Sequence, residues 1–451
     1  MGFKSFFRKL CSFSFSFTLM VASDLLAGSN DAELDYTSIG GFHGGKSCLH
    51  EASIPHLPLY SPEPIPEKDE EGDGQHTESD PTAPISGKVM ALITDGIGPA
   101  HQTEPIKALV ANAKVIMSPR LDKRIAGYQK YTETDQWAFY TNTDGSYTAE
   151  RPLDLPGISL STDFVSDFFK VRTFLKDTGT EHYCPENTSQ CWGIHREAKS
   201  WPDPKSKSVD FFLADKSIEV PDHWTIETIS SSNAYHHVEA SISWIRDVFP
   251  YWAPPPNLLV TPNTRMARCN AFYSRSVNEI VLLEATEGYC PNASYSSIVR
   301  HELGHAFVMT LNLSEYTSND YWGFHEGVAD ALSALSLDAS CSGLDFRGDD
   351  TGCYRDFSNV YQRFPVNSED PHLRGMPLVG AFWELQVALK KRYGIAKGLK
   401  ISKNLFLYTM AMNDTGYDYG IAQDLLLVDS KLYRGANSYL IVTIFKEKNL
   451  I

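Results

Sequence analysis

The most constraining feature of the chain is Ser297-Ile-Val-Arg-His-Glu-Leu-Gly-His-Ala-Phe-Val308. His301 and His305 stand four residues apart, which on a helix sets both imidazoles on one face, within reach of one metal ion. Glu302 is offset by one position, near the metal's open side without having to ligate, where it can take a proton from zinc-bound water. A solvated helix face with two histidines would explain the spacing, but not the apolar flanks Val299, Leu303 and Ala306-Phe-Val308. Gly323-Phe-His-Glu-Gly-Val-Ala-Asp330 predicts a second helix, with Glu326 twenty-one residues past His305. A catalytic zinc takes three protein ligands and keeps one position open, so Glu326 completes a His2Glu set for a single ion unless it is an ordinary surface carboxylate. Asp330, one turn on, can accept the remaining ring N–H of His301, which fixes the tautomer and raises ligand basicity.

The rest of the chain frames this pair of helices. Lys4, Arg8 and Lys9 precede an apolar stretch from Leu10 to Ala22, and Val21-Ala22-Ser23 offers a cleavage site. Residues 1–23 therefore read as a cleaved signal peptide, with a floppy start or a weak membrane anchor as the alternative. The mature chain is expected to be exported: extracellular, periplasmic or at the cell surface. Of eight cysteines, Cys11 falls in the signal and six lie in close pairs, Cys184 with Cys191, Cys269 with Cys290 and Cys341 with Cys353. Such pairs are expected to be bridged in an oxidising compartment, leaving Cys48 unpaired. Asn187, Asn292, Asn312 and Asn413 head glycan-acceptor triplets.

Between Ser61 and Asp80 eight carboxylates face one lysine among three prolines, so residues 24–86 read as an acidic, disordered linker or a pro-segment. Residues 87–220 carry short strands with polar turns, among them a hairpin signature at Thr143-Asp144-Gly145, and suggest a β-sandwich. Beyond Pro221 the apolar period becomes helical, in a domain of residues 221–451 that is mainly helical after its first strands. Tyr439–Phe445, the longest apolar run beyond the signal, is strand-sized and reads as a closing strand; nothing there is long enough to span a membrane. With 40 Lys and Arg against 56 Asp and Glu, the net charge of −16 argues against a nucleic-acid partner and a basic membrane patch. The fold class expected is multi-domain α+β.

The HExxH helix followed by a Glu helix with an Asp four residues later resembles the gluzincin metallopeptidases of the thermolysin and fungalysin branches, over residues 230 to 410. Val308 and Leu311 stand where a metzincin carries glycine and a third histidine, which excludes that branch. The resemblance implies a two-lobed catalytic domain with a zinc-binding helix pair, hydrolysing peptide or protein substrates. It further implies that Asn270 and Ala271, in Asn270-Ala-Phe-Tyr273, belong to an edge strand that binds substrate backbone, although an ordinary strand end would look the same. His372, in the Asp370-Pro-His372 loop, is then the donor that stabilises the oxyanion, facing the zinc without ligating it, and Tyr316 is a second donor. His325 departs from the pattern, which has Asn there. Ser297 stands where a calcium-binding acid would be expected, and the acidic run Asp345–Asp350 reads as solvated charge rather than a calcium site. The Gly-x-Met-Glu-Asn exopeptidase signature is absent, which tilts toward an endopeptidase. Residues Gly87-Lys-Val, Ala113-Lys-Val and Thr143-Asp-Gly-Ser-Tyr147 resemble the carboxypeptidase regulatory-like sandwich, which implies an accessory module. The alternative from another class is a surface binding or adhesion protein whose zinc site is structural or vestigial.

Overall fold

The computed structural model describes residues 84–94, 96–98, 105–119, 136–150, 158–172, 198–200, 208–213, 226–264, 269–286, 290–311, 319–347, 352–413 and 420–451. The expected signal, the acidic segment, Cys48, Cys184, Cys191, Asn187, Asn312 and Tyr316 lie outside them. The first part is strands: β1 (Ile85–Ile93), β2 (Ile106–Leu109), β3 (Lys114–Pro119), β4 (Trp137–Tyr140), β5 (Ser146–Ala149), β6 (Ile158–Thr162), β7 (Phe169–Val171), β8 (Ala198–Ser200) and β9 (Phe211–Phe212). Two four-stranded sheets result, one ordered β2-β1-β5 with β9 also on β1, the other β4-β3-β6-β8. In β3 and β6 every second side chain is buried, as expected where one face of a sheet covers a core. The Thr143-Asp144-Gly145 turn forms, with Gly145 at φ 67° and the Asp144 carboxylate accepting from the Ser146 amide at 3.0 Å. It does not close the expected hairpin. Tyr140 pairs with Lys114 and Ser146 with Lys88, so the turn carries the chain from one sheet to the other.

The remainder alternates helix and strand: α1 (Ile226–Arg246), β10 (Leu258–Thr264), β11 (Ala271–Ser274), β12 (Glu279–Leu283), α2 (Ser296–Met309), α3 (Asn319–Leu337), β13 (Cys341–Leu344), β14 (Cys353–Asp356), α4 (Pro371–Tyr393), α5 (Ile395–Met412), α6 (Gly420–Tyr433) and α7 (Ser438–Glu447). A third sheet runs β11-β12-β10-β7, so Phe169–Val171 pair in parallel with Leu258–Val260. The fold is thus mixed α+β, with seven helices and several small sheets among the described residues. The closing strand expected at Tyr439–Phe445 is helix α7 instead. Ile441, Ile444 and Phe445 are buried while Tyr439 and Val442 are exposed, a spacing of three and four rather than two. No described helix is long and apolar enough to cross a membrane. Asn292 and Asn413 are buried in the folded chain, and Asn292 Nδ2 donates to Asn263 Oδ1 at 2.7 Å, which leaves neither open to a glycan.

Two apolar cores meet at α2. Val299, Leu303 and Ala306 pack into one with the strands and α1; Phe307 and Val308 pack into the other with α3 to α7. A helix buried on so many sides has no solvated face for its polar residues, so Arg300, His301 and Glu302 are buried too. The helices meet without room to spare. A Cβ on Gly304 would lie 2.5 Å from Ala329 Cα, and one on Gly375 would lie 2.6 Å from the Gly327 amide. Glycine at these positions lets α2 and α4 approach α3 closely enough for short side chains to meet.

One buried carboxyl in the α1 layer titrates against the fold. Glu239 accepts a hydrogen bond from Asn112 Nδ2 on one oxygen, and its other oxygen has no partner. Burial raises it from the ordinary 4.5 to about 7. Because the folded value is the higher one, the folded state holds the proton more tightly, and stability falls as pH rises from near 4.5 through about 7. Glu239→Gln keeps the acceptor for Asn112 and removes the titration. A tenfold change in proton affinity corresponds to about 1.4 kcal/mol, so denaturant unfolding should find the variant more stable than the parent by roughly 3 kcal/mol at pH 8, with the gap closing at pH 4. A pH-independent difference would contradict the assignment.

Candidate metal centre

Three helices bring the ligand-capable groups together. On α2 the rings of His301 and His305 lie one turn apart, centroids 4.7 Å and nearly perpendicular. On α3 the row Trp322, Glu326, Asp330 repeats every fourth residue and descends from an exposed ring to a fully buried carboxylate. On α4, Asp370 and Pro371 form a helix start of the expected kind: Asp370 Oδ1 accepts from the His372 amide at 2.9 Å, and Pro371 takes the first position, where no N–H is needed. His372 therefore sits in the first turn of a helix, not in the loop expected from the sequence. Its ring is held by Asp370, Nδ1 to Oδ1 at 3.0 Å, and is stacked on His301 with centroids 6.0 Å apart.

The three helices converge on one oxygen. Glu326 Oε2 lies 3.2 Å from His301 Nε2, 3.5 Å from His305 Nε2 and 3.2 Å from His372 Nε2. Ligand atoms of His301, Glu326 and His372 all fall within 4.8 Å of one another. These contacts are short enough for hydrogen bonds, yet Oε2 is buried with none of the required geometry. Three imidazole nitrogens crowding one carboxylate oxygen at ion-pair distance are also what a shared metal position produces. Tetrahedral ligands at zinc's ~2.0–2.1 Å bonds stand roughly 3.3 Å apart, so the spacing fits, as does a donor set of imidazoles and one carboxylate.

Electrostatics point the same way. Burial works to raise Glu326, and the facing imidazoles of His305, His372 and His301 outweigh it, holding the carboxyl well below its usual range. At His301 burial works against a charge, but Asp330, Glu326 and Glu302 outweigh it and move the imidazole up to about 10. That position favours a cation, whether proton or metal. Burial pushes His305 down, to about 3, against the pull of Glu326, and pushes His325 down to about 4. Glu302 is buried, has an oxygen without a partner, and is raised by that burial to about 7.

Behind His301 stands a chain of support. Asp330 Oδ1 meets His301 Nδ1 at 2.7 Å, and Arg355 grips the same carboxylate through two bonds, Nε to Oδ2 at 2.8 Å and a guanidinium NH2 to Oδ1 at 2.7 Å. Arg355 comes from β14, which pairs with β13 and is bridged to it by Cys341–Cys353. Nothing in the sequence near Asp330 announces Arg355; the only hint is that a buried carboxylate needs a cation. The second bridge expected in the described part, Cys269–Cys290, also forms, with Cα atoms 5.7 Å apart. It stands beside Asn270, which is exposed at the start of β11, the edge strand of its sheet, with Ala271 buried next to it.

No family model matches the chain, and no curated protein matches it. Solved structures with some likeness include the precursor of protealysin, a metalloproteinase from Serratia proteamaculans, at 10% identity and a TM-score of 0.40, over 51% of this chain and 81% of that one. Another is PA1324 of Pseudomonas aeruginosa, described as a "putative carbohydrate binding protein", at 9% identity and a TM-score of 0.16, over 30% of this chain and 92% of that one. Both superpositions are too loose to define a function.

If Asp330 orients His301, Asp330→Asn should weaken zinc binding ~10–100-fold in a chelator competition. It should also lower thermal stability, because Arg355 is left buried without its charge partner. Wild-type zinc affinity in the variant would remove Asp330 from the support of the metal.

Proposed function

We propose that the chain is an exported zinc metallopeptidase, most simply an endopeptidase acting on peptide or protein substrates. In this reading residues 1–23 are a cleaved signal, 24–86 an acidic linker or pro-segment, 87–220 an accessory β-sandwich that lends β7 to the sheet of the catalytic part, and 221–451 the catalytic domain. The observation that carries it is the convergence of imidazole nitrogens on an unpartnered Glu326 oxygen, with the buried carboxyl of Glu302 alongside. His301, His305 and Glu326 would hold zinc. When bound, zinc supplies a Lewis-acid charge that acidifies water and polarises a carbonyl.

The chain's own groups divide the remaining work. Glu302 takes the proton of the attacking water and returns it to the leaving amine. His372, as an imidazolium whose Nδ1–H is held by Asp370, donates from Nε2 to the carbonyl oxygen as negative charge develops there. Asn270 and Ala271 would seat substrate backbone along β11, an edge strand among the described residues. Tyr316 is the remaining candidate donor.

A second reading is a binding protein with a structural metal. It draws on His372, which stands as near Glu326 as His301 does; as a fourth protein ligand it would close the site. Glu302 weighs against it, since a closed site has no use for an unpartnered carboxyl beside the metal.

Two variants decide between them. Glu302→Gln should retain zinc and lose peptide hydrolysis by ~10²–10⁴-fold, the range for one general base. His372→Ala should retain zinc, with kcat lowered ~10²–10³-fold and KM little changed. Loss of zinc from His372→Ala, together with no chelator-sensitive hydrolysis by the parent on any peptide library, would favour the structural site and end the peptidase reading.

A further inference from the structure

His301 is oriented by a carboxylate, and His305 needs an equivalent. We infer that His325 is the positioning residue for His305, its Nδ1 accepting the hydrogen bond that leaves His305 Nε2 bare toward the metal. This rests on the metal-centre reading and concerns only what orients its second imidazole.

With a metal on His305 Nε2, the geometry leaves one arrangement of protons. His305 Nδ1 and His325 Nδ1 are 3.0 Å apart, a distance that requires one proton between them. Two bare nitrogens would set lone pair against lone pair, and two protonated ones would collide. A neutral imidazole carries one N–H. His305 Nε2 faces Glu326 Oε2 at 3.5 Å among the converging ligand atoms, and a ligand nitrogen must be unprotonated. The His305 proton is therefore on Nδ1, and His325 must accept through Nδ1 and carry its own proton on Nε2.

His325 is built to hold that pose. It is buried, its ring lies 5.3 Å from that of His305, and Tyr321 and Trp322 pack against it at 5.2 Å and 5.9 Å. A neutral acceptor also suits the local charge. Glu302, Glu326 and Asp330 already crowd the site, and Arg355 is the cation bonded to them, through Asp330. A second orienting carboxylate would add to that repulsion; an imidazole fixes the tautomer without adding charge.

The test combines two substitutions with a measurement on the unaltered protein. Chelator competition should find zinc affinity lowered ~10–100-fold in His325→Leu, which has no acceptor, and restored to within about threefold of the parent in His325→Asn, which has one. In the zinc-loaded parent labelled with ¹⁵N, imidazole NMR should show His305 protonated at Nδ1, His325 bare at Nδ1, and a scalar coupling across the N–H···N bond. This readout does not depend on either variant folding. Parental zinc affinity in His325→Leu, or a proton on His325 Nδ1 in the zinc-loaded protein, overturns the inference and leaves the metal centre standing. Failure of the parent to bind zinc overturns both.

Discussion

Everything at the candidate site depends on α2 being buried between two apolar cores. Val299, Leu303 and Ala306 commit one side of the helix to the sheet core, and Phe307 and Val308 commit another to the helical core. What remains between them is a narrow polar seam in a medium of low dielectric. A buried polar group there needs a partner, because water is not available to supply one. His301 has Asp330, Asp330 has Arg355, and His305 has His325. Glu326 Oε2 and one oxygen of Glu302 have no hydrogen-bond partner. Arg300 Nε is unpartnered as well, so it is the two carboxylate oxygens, and not unmatched groups in general, that the proposed reading assigns to a metal and a substrate.

Packing sets the spacing of that seam. The contacts of Gly304 with Ala329 and of Gly327 with Gly375 fix the separation of the three helices to within a methyl group. A methyl at either contact would push α2 or α4 away from Glu326, and the His301 and His372 nitrogens would leave the 3.2 Å shell around its Oε2. Pre-organisation here is therefore a consequence of small residues between the helices as much as of the ligands themselves.

The parts of the site visible in the sequence are those set by helical period. His301, Glu302 and His305 share one helix, and Glu326 and Asp330 share the next, so spacing alone predicts which side chains face one another. The parts that come from elsewhere have no such signal. Arg355 reaches Asp330 from a disulfide-bridged hairpin, a tertiary contact with no local signature. His372 stands out in the sequence as a residue but not as a helical one, although Asp370-Pro371 is a capping sequence that starts α4 one residue before it. In the fold, the run Tyr439–Phe445 is too short for composition to separate strand from helix. The turn at Thr143-Asp144-Gly145 is legible as a turn, whereas which sheets its two strands join is decided by partners far along the chain.

In the proposed function His301, His305 and Glu326 converge because one metal ion belongs between them. Anomalous diffraction at the zinc edge from crystals of the zinc-loaded protein tests it most directly. One strong peak per chain is expected, bonded to His301 Nε2, His305 Nε2 and a Glu326 oxygen at ~2.0–2.2 Å. No peak at saturating zinc, or a peak held by other side chains while His301, His305 and Glu326 remain paired among themselves, would contradict it.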